Sequence, residues 1–276
     1  MAIALALAAA LVYGASDFLG GIASRRTSTI SAVIWSQAVG LVLLCAAVAV
    51  SGGQALPSDL AWGALCGITG AGAIALLYRG LAIGTMGVVS PLSAVIGASV
   101  PLIYGIALRG ERPAPIAYAG IIVALLAVIC VSSAKQNGTG GVLEGALAGV
   151  AFGAYFIALA QTHTEAGMLP LLAARVTSIV LLVAGGFAFG GAASVRLSRP
   201  ALPLVLLCGA LDITANVLYV IAAHHGLLAL VAVLTSLYPA ATVALAAIVL
   251  RERLGRQQWI GVALALGGAA AIAGGS

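Results

Sequence analysis

Runs of about 20 apolar residues, broken by short clusters of charged or turn-forming residues, recur from one end of the sequence to the other. A hydrocarbon core of roughly 30 Å is crossed by about 20 such residues as a helix, because inside it every backbone N–H and C=O must be satisfied within the span. The runs predict helices over 3–22, 30–50, 60–82, 88–108, 114–133, 142–162, 168–189, 201–223, 228–249 and 257–274, an all-α membrane protein of ten transmembrane helices. The breaks between them carry loop chemistry, as in Ser51-Gly52-Gly53, Arg109-Gly110-Glu111-Arg112-Pro113 and Ser198-Arg199-Pro200. Composition excludes a soluble alternative: 63% of residues are hydrophobic and 7% charged, against about 45–50% and 25% in a soluble domain. Met1 to Ala10 hold no Lys or Arg, so the first run reads as a retained helix rather than a signal peptide.

The stretch 135–141 divides the sequence near its middle, and the two parts match. A shift of 141 places Leu77-Tyr78 on Leu218-Tyr219, Ala82 on Ala223, Glu111-Arg112 on Glu252-Arg253 and Gly120 on Gly261, with Tyr118 opposite Trp259. Near the starts, a shift of 139 places Tyr13-Gly14-Ala15 on Phe152-Gly153-Ala154. The expected organisation is a repeat over 1–134, a linker over 135–141 and a second repeat over 142–276. Each repeat holds an odd number of helices, so the second enters the membrane from the opposite side. Inverted repeats are a plan of secondary transporters, with the solute site near the midplane and alternating access produced by rocking one repeat against the other.

The aromatic-Gly pairs Tyr13-Gly14 and Phe152-Gly153, the intramembrane Arg175, Pro239, and the endings Gly110-Glu111-Arg112 and Arg251-Glu252-Arg253 stand in a particular order. In these motifs the sequence resembles the ten-helix EamA-type permeases of the drug/metabolite transporter superfamily, over essentially the whole chain. Gln37 stands where the repeat would place a copy of Arg175, and Ala98 where it would place a copy of Pro239. The resemblance implies a multi-pass protein of the cell membrane, the inner membrane if bacterial. It also implies export of small metabolites, with amphipathic amino acids, aromatic ones included, as the suggested substrate class.

An ionisable group facing hydrocarbon is costly, so those within spans should face a partner or a wet cavity. They are Asp17, Arg79, Arg175 and Asp212. Asp212, Asn216 and Tyr219 fall at i, i+4 and i+7 and form one polar stripe on the eighth span, which suits either a solute path or a network between helices. Arg79 and Arg175 can pair with Asp212 or Asp17, or receive a solute carboxylate. Tyr78, Tyr155, Tyr219 and Tyr238 offer a flat apolar face and one hydroxyl to an amphipathic solute, or else belong to an interfacial belt. Ser90-Pro91 and Pro101 in the fourth span and Pro239 in the ninth free helical carbonyls, so these helices are expected to bend during gating. Ser90 joins the expected solute contacts. Asp212 is the acid best placed to exchange a proton, with Asp17 second.

Cys45, Cys66, Cys130 and Cys208 read as small packing residues, and His163, His224 and His225 as solvated loop side chains. Gly63-x-x-x-Gly67 and Gly145-x-x-x-Gly149-x-x-x-Gly153 predict close helix approach. No nucleotide loop, His-Glu-x-x-His or Gly-x-Ser-x-Gly is present, so no cofactor, metal or catalysis is expected. A basic patch suited to nucleic acid is also lacking. A membrane-embedded enzyme or a scaffold is the alternative from another class, and a sugar, nucleotide conjugate or lipophilic cation the alternative solute. The partners expected are a small solute and the bilayer, with the protein working as a monomer. Basic residues flank mainly the loops after odd-numbered helices, which the positive-inside rule places in the cytoplasm with both termini outside. The resemblance implies both termini in the cytoplasm. A reporter fused at Ser276 distinguishes the two.

Overall fold

The computed structural model describes residues 1–108, 110, 114–116, 118–120, 122–123, 126, 140–159, 161–225, 235, 237–251 and 255–274. Among the described residues nine α-helices can be followed: α1 (Ala2–Arg26), α2 (Thr29–Ser51), α3 (Pro57–Ile83), α4 (Met86–Leu108), α5 (Val142–Leu159), α6 (Leu169–Val195), α7 (Leu202–His225), α8 (Tyr238–Val249) and α9 (Arg256–Gly274). Six of them are long and apolar enough to cross a bilayer. The expected span 114–133 and the linker 135–141 lie mostly outside the described residues, as does the beginning of the expected span 228–249.

The helices begin and end where backbone chemistry demands. Ser28 accepts the Ser31 N–H at 3.0 Å to open α2. Pro57 occupies the first turn of α3, where its missing N–H costs nothing, and the Asp59 carboxylate accepts the Leu56 N–H at 2.9 Å. Inside α6, Gly191 adopts φ 64°, a left-handed conformation that interrupts the last turns. Pro239 sits in the first turn of α8, directly after the turn at Leu237. Pro91 and Pro101 lie within α4, which stays helical across both.

Polarity is distributed inside out relative to a soluble protein. Leu11, Val42, Ile68, Val180 and Ile248 face outward, while Ser16, Asp17, Ser36, Gln37, Ser90, Ser93, Ser178 and Thr242 are buried. A bilayer rewards that arrangement, since apolar side chains lose nothing against lipid and polar ones need protein partners.

The halves interlock in a pattern that repeats itself. The helix α1 packs along α7, and α3 along α5; α4 packs along α5, and α1 along α8; α2 packs along α7, and α3 along α6. If α1 to α4 are exchanged with their copies α5 to α8, each member of these three pairs becomes the other. The contacts obey the two-fold relation expected of inverted repeats. The glycine spacings supply the close approach: a Cβ at Gly67 would lie 2.5 Å from Ala174 O, and one at Gly149 would lie 2.7 Å from Ser93 O.

Loops at both faces of the bundle are stitched together. At the first face, Ser198 Oγ donates to Arg26 O at 2.9 Å, Trp35 Nε1 donates to Val195 O at 3.0 Å, and Ser28 Oγ donates to Ser194 O. At the second, Gln54 N donates to Glu165 O at 2.9 Å. There the fully buried Asp59 also accepts the His163 N–H at 2.9 Å, with His163 Nδ1 at the same distance. His163, its side chain 56% exposed, is therefore a solvated loop side chain that also partners Asp59, and α7 runs helical through His225. Asp59→Ala is expected to lower the unfolding temperature in detergent more than His163→Ala does, because it also uncaps α3. Coincident melting curves for Asp59→Ala and the wild type would remove this clasp from the forces joining the repeats.

Candidate functional site

The polar interior is built where α1, α2, α6 and α7 meet. Asp212 lies ten residues into α7 and Asp17 nine residues from the end of α1. At 1.5 Å per residue both sit about 14–15 Å below the first face. Around them the helices come close: a Cβ at Gly209 would lie 2.9 Å from Val39 Cβ, and one at Gly40 would lie 3.7 Å from the Arg175 guanidinium carbon.

Arg175 reaches from α6 into this space and bridges two helices. Its Nη2 donates to Asp212 Oδ2 and its Nη1 to Gln37 Oε1. Asn216, one turn beyond Asp212, donates through Nδ2 to Asp212 O at 2.8 Å and lies 3.5 Å from Oδ2. The ion pair keeps partial access, the two side chains being 15% and 20% exposed. The phenols of Tyr13 and Tyr155 lie within electrostatic reach of the pair and Tyr219 within reach of those two phenols, and the Tyr13 ring meets Tyr238 edge-on at 6.5 Å. The node therefore combines one cation, one anion, two side-chain amides and four aromatic rings.

A second network lies beside it. Tyr78, 1% exposed, places its hydroxyl 3.0 Å from Cys208 Sγ, and Ser16 Oγ donates to Cys208 O at 3.0 Å. The thiols repeat a device: Cys208 Sγ donates to Ser16 O at 3.4 Å, and Cys66 Sγ to Tyr155 O at 3.5 Å. Ser16 and Tyr155 are equivalents at the shift of 139. These two cysteines bind carbonyls between helices in addition to filling space.

The family model of EamA-like transporters matches residues 1–133 and again 139–274. The chain belongs to the EamA-like transporter family. It is a multi-pass membrane transporter built from two copies of the EamA unit. One solved structure superposes with a TM-score of 0.63 over 95% of this chain and 95% of its own, at 18% sequence identity, which shows a shared fold. No curated protein matches the sequence.

Of the residues singled out by sequence, Arg175, Asp212, Asn216, Tyr155, Tyr219 and Tyr238 fall in or around the node, with Asp17 beside it. Others lie elsewhere. Arg79 pairs with neither interior acid: it is 64% exposed and donates through Nε to Glu144 at 3.3 Å, across the repeats. The Tyr78 hydroxyl is turned to Cys208. Ser90 is fully buried in α4, its hydroxyl without a hydrogen-bond partner among the described residues. The structure adds Gln37 and Tyr13. Gln37 is the approximate repeat counterpart of Arg175, and the two counterparts touch. Tyr13 carried a signal in its aromatic-Gly pair, which reads as packing until the ring is seen against Tyr238.

Proposed function

We propose that the protein exports small zwitterionic metabolites, amino acids with aromatic side chains among them, by alternating access at the Arg175–Asp212 node. What supports this reading is the composition of the node: a guanidinium and a carboxylate of the second repeat that now satisfy each other, with Gln37 of the first repeat on the same guanidinium and tyrosines of both repeats around them. A solute α-carboxylate can take the Arg175 fork from Asp212 as a charge-assisted pair, which leaves Asp212 and Asn216 to receive its ammonium. An aromatic side chain then lies against Tyr13, Tyr155, Tyr219 or Tyr238. A solute lacking either charge leaves one protein charge unpaired, which costs far more than losing a methylene contact. Each monomer holds a whole site.

Counterflow in proteoliposomes tests this with three probes of similar shape. Phenylalanine is expected to exchange, while phenethylamine and 3-phenylpropionate, each missing one charge, exchange at least about tenfold more slowly, which corresponds to about 1.4 kcal/mol of discrimination. Failure of the protein to move any amino acid, or equal rates for all three probes, would sink the proposal.

A further inference from the structure

The interior charges do not balance. With Arg79 turned to Glu144 at the first face and Asp59 clasped to His163 at the second, the charged side chains in the middle of the described bundle are Asp17, Arg175 and Asp212. Arg175 and Asp212 cancel each other. Asp17 has no such partner: it is 8% exposed, and among the described residues no hydrogen bond or ion pair reaches its carboxylate. The groups that face it electrostatically are Asp212 and Cys208 from α7, Tyr78 from α3 and Tyr238 from α8, and none of these is a cation. The guanidinium that could serve it is already shared between Asp212 and Gln37. A second negative charge this deep would be both desolvated and set against Asp212, and two such carboxylates are relieved when one of them binds a cation.

We propose that Asp17, rather than Asp212, is the proton-binding site of the carrier, and that its proton and the ammonium group of the solute compete for it. Asp212 is already engaged: its carboxylate pairs with Arg175 and lies 3.5 Å from the Asn216 amide. The step balances simply. As the solute docks, the proton on Asp17 leaves to water on that side, and the ammonium lies between the Asp17 and Asp212 carboxylates. When the solute departs on the other side, a proton from that side takes its place. The result is exchange of a proton for a solute, and the competition rests on the zwitterion reading above, whereas the protonation of Asp17 does not.

Infrared spectra of the purified protein test that protonation without any solute. The carbonyl stretch of a protonated carboxylic acid is expected at neutral pH in the wild type, lost in Asp17→Asn and retained in Asp212→Asn. A wild type without the band, or an Asp17→Asn variant that keeps it, overturns the proposal. In proteoliposomes under a pH gradient, the wild type is expected to concentrate phenylalanine. Asp17→Asn should slow phenylalanine exchange, since one of the two carboxylates that receive the ammonium is gone, and lose the accumulation altogether, while Asp17→Glu keeps both. Undiminished accumulation in Asp17→Asn overturns the competition. If the wild type exchanges no amino acid, the proposed function fails, and the infrared band still decides the role of Asp17.

Discussion

Arg175→Ala is expected to destabilise the protein by about 3–5 kcal/mol and to abolish transport. The guanidinium bridges Asp212 on α7 and Gln37 on α2, so its removal leaves a carboxylate, 20% exposed, with only the Asn216 amide. Breaking a buried pair from one side is worth about that much, because the remaining charge stays desolvated. The double variant Arg175→Ala/Asp212→Ala separates structure from function. It leaves no orphaned charge and should regain much of the lost stability, measured as the unfolding temperature in detergent, while transport stays absent. Recovered transport in the double variant would make the pair a structural strut. Arg175→Lys keeps the charge but loses the fork that reaches two acceptors, so a partial loss of both stability and transport is expected.

The positions of the helices could be read closely from the sequence, but their rotation about their axes could not. Spans expected at 30–50, 60–82 and 88–108 are seen as Thr29–Ser51, Pro57–Ile83 and Met86–Leu108. Twenty apolar residues in a row have few ways to satisfy their backbone in lipid other than as a helix. In a soluble helix the apolar stripe marks the core side, whereas lipid tails are as apolar as leucine, so the same residues suit either side of a membrane helix. Only polar and small residues mark the inward face. That is why the stripe Asp212, Asn216, Tyr219 led to the node, while Tyr78, identical in type and equivalent by repeat to Tyr219, gave no sign that Cys208 would occupy its hydroxyl. Arg79 illustrates the opposite error. A cation near the end of a span has two exits, inward or along the helix to the surface, and its partner Glu144 lay 65 residues away in the other repeat.

Replacing Gly14 or Gly153 by valine is expected to cost at least about 1–3 kcal/mol each and to lower the yield of folded protein, with effects of similar size at the two sites. The repeat explains why they should match. A Cβ at Gly14 would lie 2.5 Å from Ala241 Cβ on α8, and one at Gly153 would lie 2.6 Å from Val100 Cγ1 on α4. Val100 and Ala241 are themselves counterparts at the shift of 141, so both glycines carry out one contact, the crossing of the first helix of one repeat over the fourth helix of the other. At Gly14 the approach is closed further by Thr242 Oγ1, which donates to Gly14 O at 3.1 Å. The aromatic-Gly pair is thereby explained: the glycine lets the helices meet backbone to backbone, and the ring one residue earlier fills the flank, as Tyr13 does against Tyr238. Any side chain at the glycine pushes α1 away from α8, or α5 from α4, and cannot be absorbed by a rotamer change, because the obstacles at Gly14 include main-chain atoms of α8. The measurement is the unfolding temperature of each purified variant together with size-exclusion recovery. A Gly14→Val protein that melts and elutes like the wild type would show that this crossing is loose in the membrane and that the repeats are held together elsewhere.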